Sequence, residues 1–305
     1  MFELTFLGTA ASVPLIKRGL SSAVVAHDEY RMMVDCGEGT QRQVLMSGLG
    51  FRRLEHIFIT HSHLDHILGL GGMLSTLGQW ESVERLTIYA GATACEKIAD
   101  LVTKVVFRGA RPPVAIEMKP VQPGIVLKTE DFDVVAFPVR HRGPDCFGYV
   151  FQEHARRPFL NDKATELGVP LGPERKTLIA GKPITLSDGR IVQPNDVLGE
   201  LQRGSKLVMT GDTGDTESLI KICKDADVLV TEATYLAEDI GLARDYGHST
   251  AAEAATLAKN AGVGQLVLTH ISGRYPENVI EAEARAIFPN TVVARDFDKF
   301  KIRAA

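Results

Sequence analysis

His61-Ser62-His63-Leu64-Asp65-His66 stands directly behind the apolar run Ile57-Phe58-Ile59-Thr60. Three imidazoles and a carboxylate within six positions form a dense set of borderline-soft donors, the kind that zinc takes. A spacing of two residues cannot put His61 and His63 on one helical face, so both must project from a loop just beyond a strand. A helix beginning around Leu68 would then present Asp65 and His66 in another direction, toward a second ion. Three further candidates share the same local situation: His141 follows the apolar run 134–139, Asp212 follows 207–210 in Thr210-Gly211-Asp212-Thr213, and His270 follows 266–269. Gathering ligands from the carboxyl ends of several strands is how an α/β sheet builds a site.

Outward from that stretch, short runs rich in β-branched residues alternate with helical stretches, which predicts a layered α/β protein. Strands are expected at 3–7, 22–27, 31–35, 56–60, 86–90, 132–139, 146–152, 207–210, 228–231 and 265–269. Helices are expected at 40–47, 68–77, 94–106, 216–224, 251–260 and 278–287, with Thr250 and Glu253 reading as a capping box before the fifth. The rhythm breaks between 153 and about 190, where Pro158, Pro170, Pro173 and Pro183 interleave with Gly168, Gly172 and Gly181. A core element would not tolerate that density of breakers, so the segment reads as an insertion.

At 305 residues and 45% hydrophobic content the chain can bury a substantial core, which excludes global disorder. Its apolar runs are strand-sized, far short of the roughly 20 residues a membrane span needs. Met1-Phe2-Glu3-Leu4 lacks the basic start of a signal peptide, so a cytoplasmic protein is expected. Cys36, Cys95, Cys146 and Cys223 are scattered, with no paired spacing for a structural zinc site or a disulfide framework. A net charge of −4 gives no general attraction for nucleic acid. Any basic surface must be local, and 153–190 carries seven Lys/Arg against five Asp/Glu, a balance of +2 that leaves the rest of the chain at −6.

The motif His61-x-His63-x-Asp65-His66, with His141, Asp212 and His270, resembles the metallo-β-lactamase superfamily. The resemblance implies an αββα sandwich formed as one domain over 1–305, with two Zn²⁺ per subunit. His61, His63 and His141 would hold one ion, Asp65, His66 and His270 the other, and Asp212 would bridge them. Two zinc ions about 3.5–4 Å apart lower the pKa of a shared water toward roughly 7 and stabilise both the attacking and the leaving oxygen. Such a centre serves several ester classes, so a small-molecule phosphodiesterase, thioesterase or lactonase of the same fold is the alternative reading.

Further segments are similar to the tRNase Z family: Phe6-Leu7-Gly8-Thr9-Ala10, Val34-Asp35-Cys36-Gly37-Glu38-Gly39-Thr40-Gln41, Thr231-Glu232-Ala233-Thr234 and Tyr246-Gly247-His248-Ser249-Thr250. By that resemblance His248 is the general acid, Glu232 its orienting carboxylate, and Asp65 a catalytic residue as well as a ligand. The glycine turn and Thr40 at a helix start would offer backbone N–H groups to a phosphate. Val13-Pro14-Leu15-Ile16-Lys17-Arg18-Gly19-Leu20 keeps Pro14 and Arg18 of a family loop in which asparagine commonly stands where this chain has Gly19, and Arg18 is expected at the substrate. The insertion at 153–190 resembles the flexible tRNA-binding arm of that family, with Gly172, Pro173, Arg175 and Lys176 as its expected contacts. In the family the arm of one subunit of a homodimer serves the site of the other. The resemblance therefore implies an endoribonuclease that removes the 3′ trailer from precursor tRNA by metal-hydroxide hydrolysis. Water, not the RNA 2′-hydroxyl, would be the nucleophile, leaving a 3′-hydroxyl on the tRNA and a 5′-phosphate on the trailer. A catalytically silent RNA- or metal-binding member is the rival from another class, and seven intact ligands weigh against it.

Overall fold

Near-continuous apolar runs give a strand two faces to bury, and the computed structural model, which describes residues 1–79, 83–110, 112 and 114–304, contains sixteen strands. They are β1 (Phe2–Gly8), β2 (Ser22–His27), β3 (Tyr30–Val34), β4 (Leu54–Phe58), β5 (Arg85–Ala90), β6 (Ala115–Pro120), β7 (Gly124–Lys128) and β8 (Phe132–Pro138). The remainder are β9 (Phe147–Glu153), β10 (Ile184–Thr185), β11 (Ile191–Val192), β12 (Lys206–Met209), β13 (Val228–Glu232), β14 (Gln265–Thr269), β15 (Thr291–Val293) and β16 (Lys299–Ile302). The chain divides into two compact units, one of Met1–Gln152 with Ser205–Ala305, the other of Glu153–Gly204.

The first unit holds two seven-stranded sheets, ordered β16-β1-β2-β3-β4-β5-β6 and β15-β14-β13-β12-β9-β8-β7. Alternation assigns their faces. Phe2, Leu4 and Phe6 of β1, Met32 of β3, Tyr149 and Phe151 of β9, and Val228 and Val230 of β13 meet in one core between the sheets. Met33 of β3 and Ile57 of β4 point the other way, under the helices Thr40–Ser47, Leu70–Gln79 and Ala92–Asp100. Val150, Leu229 and Leu268 likewise face the helices Ala251–Ala261 and Glu277–Ile287. Helix, sheet, sheet, helix is the αββα layering implied by the resemblance. Burying each of these large side chains contributes about 1.5–3 kcal/mol. Among the described residues no helix is long and apolar enough to cross a membrane.

Several elements differ from expectation. The helix predicted from about residue 68 is preceded by a separate turn, Leu64–Ile67, with His63 extended at its N-cap, so Asp65 and His66 sit inside a helical turn and not ahead of one. The helix predicted to end at 106 is α-helical only over Ala92–Asp100 and continues as a π segment, Leu101–Val106. Strands β6, β7, β15 and β16 and the helix Ile240–Tyr246 lie outside the expected elements, since they are short or mix apolar with charged positions. The predicted capping box is present: Thr250 Oγ1 accepts from the Glu253 amide, and the Glu253 carboxylate accepts from the Thr250 amide.

In the unit Glu153–Gly204 the breakers punctuate real elements. Pro173 and Pro194 open the helices Pro173–Ile179 and Pro194–Val197, where a missing N–H costs nothing. Gly168, Gly172 and Gly181 take positive φ at turns. A third helix, Asn161–Glu166, and the β10–β11 hairpin complete a small core of Ala164, Val169, Leu178, Val192 and Val197. The structural boundary thus runs to Gly204, past residue 190.

Candidate metal centre

Loops at the carboxyl ends of β4, β8, β12 and β14 carry His61, His141, Asp212 and His270, the arrangement expected where parallel strands end together. The end of β4 is braced from the opposite sheet. The Tyr149 hydroxyl donates to Ile59 O at 2.7 Å, and the Phe147 amide to Thr60 O at 2.8 Å. Gly37 lets the turn after β3 press on the ligand loop, because a Cβ there would lie 2.4 Å from Asp65 O.

Seven side chains converge. The ligand atoms of His61, His63 and His141 lie within 4.8 Å of one another, as do those of Asp65, His66 and His270. Asp212 Oδ2 lies between the two groups, 3.8 Å from His61 Nε2, 3.9 Å from His141 Nε2, 3.4 Å from His66 Nε2 and 3.3 Å from His270 Nε2. The partners behind the rings set which nitrogen faces inward. His141 Nδ1 is 2.6 Å from Gly247 O, which can only accept, and His66 Nδ1 is 2.8 Å from Asp35 Oδ2. Thr60 Oγ1 donates to Asp35 and so accepts from His61 Nδ1 at 3.0 Å. In each ring Nδ1 keeps a proton, so that Nε2 is the nitrogen turned toward the centre. His63 differs, turning Nδ1 inward to 3.2 Å from His141 Nε2.

Nε2 of His61 and of His66 are buried without a hydrogen-bond partner among the described residues. Partnerless buried ring nitrogens beside a buried carboxylate are costly unless a cation takes them, and imidazole with carboxylate suits a transition metal, so these residues fit the ions that the fold implies. Electrostatics agree. Burial and the surrounding imidazoles push His61 well below the ordinary histidine value. Burial would raise Asp212, but His270, His66 and His61 hold it well below the usual carboxylate range. Burial also opposes protonation of His66, yet Asp212 and Asp35 carry it well above the ordinary value, a proton that a bound metal would displace.

His248 lies beside this cluster. Its ring is 4.9 Å from that of His141, and its Nδ1 is 2.9 and 3.0 Å from the two oxygens of Glu232. Burial lowers its pKa, but the Glu232 charge and hydrogen bond prevail and push it up to about 9. Glu232 is itself buried and accepts from the Thr213 amide at 2.7 Å and from the Thr234 hydroxyl.

The other predicted residues lie elsewhere. Arg18, expected at the substrate, is turned into the protein: it is 8% exposed, donates to Thr9 Oγ1 at 2.6 Å and to Ala294 O at 2.5 Å, and pairs with Glu277. A guanidinium buried to that degree needs such partners, and these contacts hold Arg18 inward. The Thr40 hydroxyl is buried and donates to Gly37 O at 2.7 Å, closing the turn before its helix. Gly172, Pro173 and Lys176 are exposed in the unit Glu153–Gly204, whereas Arg175 is committed to Val169 O, Pro170 O and Asn161 Oδ1 and stacks over Phe159. Asp35, Thr60 and Thr234 went unassigned in the sequence. Asp35 alone gave a signal, a carboxylate at a strand end like the ligands, and it carries a positive φ of 58°.

Known proteins resemble the chain over its full length. A family model described as "Anti-Pycsar protein Apyc1" matches residues 2–155, and one described as "Beta-lactamase superfamily domain" matches 175–271. A protein named Ribonuclease Z from Bradyrhizobium diazoefficiens is 50% identical over 298 residues, covering 98% of this chain and 99% of that one. Another Ribonuclease Z, from Archaeoglobus fulgidus, is 38% identical over 99% of this chain and 98% of its own. Among solved structures, human tRNase Z, short form, superposes with a TM-score of 0.69 at 26% identity over 98% of this chain and 99% of its own. The metallo-beta-lactamase fold protein YhfI from Bacillus subtilis reaches 0.71 at 20% identity over 98% of each chain, a likeness of fold alone.

Proposed function

On the premise that this chain belongs to the ribonuclease Z family, and so is a metal-dependent hydrolase of RNA phosphodiester bonds, we propose that it removes the 3′ trailer from precursor tRNA as a cytoplasmic homodimer. The full-length likeness to Ribonuclease Z carries this reading. His61, His63 and His141 would hold one zinc ion and Asp65, His66 and His270 a second, with Asp212 placed to reach both groups. When bound, the two ions lower the pKa of an attacking water and offset charge on the phosphate.

The chain's own residues supply the rest. His248, protonated at neutral pH by its contact with Glu232, gives its proton to the departing ribose 3′-oxygen, and Glu232 orients the ring. Asp65, whose Oδ2 lies 3.4 Å from His270 Nε2 and accepts from the Ser12 amide at 3.1 Å, acts both as a ligand and in orienting the attacking water. The products are a tRNA 3′-hydroxyl and a trailer 5′-phosphate. The unit Glu153–Gly204 acts as the tRNA-binding arm, through exposed Gly172, Pro173 and Lys176. Exposed Ile16, Met46 and Leu68, which line one cleft, support a subunit interface. Incubating the zinc-loaded protein with an end-labelled precursor tRNA and mapping the cut tests the proposal. Cleavage at the trailer boundary with a free 3′-hydroxyl is expected. An intact precursor alongside rapid hydrolysis of a cyclic phosphodiester would favour the small-molecule alternative.

A further inference from the structure

Thr234 touches both halves of the chemistry. Its Oγ1 contacts Glu232 Oε2 and lies 2.9 Å from His270 Nδ1, and the residue is 5% exposed. A hydroxyl has a single proton, and of its two pure acceptors, the Glu232 carboxylate and the His270 carbonyl oxygen at 3.2 Å, the charged carboxylate is the nearer and takes it. The oxygen must then accept from His270, which places the His270 proton on Nδ1 and leaves Nε2 bare, 3.3 Å from Asp212 Oδ2. Glu232 meanwhile receives His248 Nδ1. One carboxylate thus serves the proposed acid directly and the proposed metal ligand through Thr234. Thr60 links Asp35 to His61 in the same way while Asp35 holds His66 directly, so the device occurs twice, once in each half of the chain.

We propose that Thr234 is a positioning residue that couples metal retention at His270 to the orientation of His248, through the Glu232 carboxylate they share. This rests on the reading of His270 as a ligand, and not on tRNA as the substrate. Glu232, which lies outside the seven proposed ligands, should therefore influence metal affinity, and do so by way of the threonine hydroxyl. Loss of an outer hydrogen-bond partner typically lowers metal affinity about 10–100-fold.

The test is competition for zinc between the full-length protein and a chromophoric chelator. Thr234→Val, which keeps shape and removes the hydroxyl, should weaken binding by about 10–100-fold, and Thr234→Ser should restore it. Thr234→Ala serves the same purpose if valine is not accommodated. Glu232→Gln should weaken binding in the unsubstituted chain and have no further effect on top of Thr234→Val. Ring ¹⁵N NMR of the zinc-loaded protein should report an Nδ1–H tautomer for His270. Unchanged affinity in both Thr234→Val and Thr234→Ala, or effects of Glu232→Gln and Thr234→Val that simply add, would overturn the coupling. A failure to cleave precursor tRNA would leave this result standing and would count against the substrate alone.

Discussion

His248 separates two leaving groups at one metal centre. Cleavage of RNA in this direction expels a ribose 3′-oxygen, which gains much from protonation, whereas p-nitrophenolate departs without help. A positioned general acid contributes about 10²–10⁴-fold, roughly 3–5 kcal/mol of barrier. His248→Ala should slow single-turnover cleavage of precursor tRNA by that order, yet slow hydrolysis of bis(p-nitrophenyl) phosphate less than about tenfold. Equal slowing of both with the metals retained would mean that the ring holds the site together and donates no proton. The pH profile follows from the sign of the shift. Because Glu232 raises the pKa to about 9, the acid stays protonated through neutral pH, so precursor cleavage should hold and then fall as pH rises through that value. The p-nitrophenyl reaction should show no such limb. The residues named here were legible to different degrees. The metal cluster could be read because three histidines and an aspartate in six positions have no ordinary structural use. Thr60 and Thr234 could not, since threonines are common and their hydroxyls gain meaning only when folding sets them against an imidazole. Arg18 is the converse case, since sequence does not reveal that this arginine is packed against Glu277.

At the scale of elements, the ligand loops sit where parallel strands end, and strand ends are what alternating hydrophobicity marks best. Expected and observed bounds agree fully for β2 and β14 and within two residues for β4 and β12. The helical split at Leu64–Ile67 and the π segment at Leu101–Val106 were beyond reach, because tertiary contacts and not residue periodicity set them. The insertion was visible by its breakers, but its internal core of five small and branched residues was not. Within that unit several cations are already spent: Arg157 on Gly199 O and Asn195, Arg190 on Asp188. Lys163, Lys176 and Lys182 are exposed and have no ion-pair partner among the described residues, which makes them the available contacts for phosphate. Each phosphate contact removed should lower the slope of log affinity against log salt by about 1. Replacing all three lysines with alanine should thus flatten the salt dependence of tRNA binding by about three in slope, with bis(p-nitrophenyl) phosphate hydrolysis as the control for an intact centre. A salt slope equal to that of the unsubstituted protein would remove this unit from tRNA recognition.

Across the whole molecule the centre joins two halves that the chain keeps far apart. His61, His63, Asp65 and His66 follow β4 in the first sheet, whereas His141, Asp212 and His270 follow β8, β12 and β14 in the second. Each proposed ion draws ligands from both sheets: His141 completes one group and His270 the other. Bound metal would therefore fasten one sheet to the other, beside the apolar core and the Tyr149 brace, and folding and metal binding would be linked. A ligand that binds only the folded state stabilises it by about 2.7 kcal/mol at a hundredfold excess over its dissociation constant. For a chain of this size that is a rise of several degrees in Tm. Elemental analysis should find two ions per subunit, and a strong chelator should lower Tm by at least a few degrees and restore it on adding zinc. Asp212→Ala should abolish hydrolysis, since its Oδ2 lies within 4 Å of Nε2 on His61, His66, His141 and His270 alike. The same substitution should shrink the chelator-induced drop in Tm, because the two groups of ligands would no longer share an anion. One ion in fully active protein would defeat the two-metal centre, and a Tm indifferent to chelation would show that the sheets hold together without the ions.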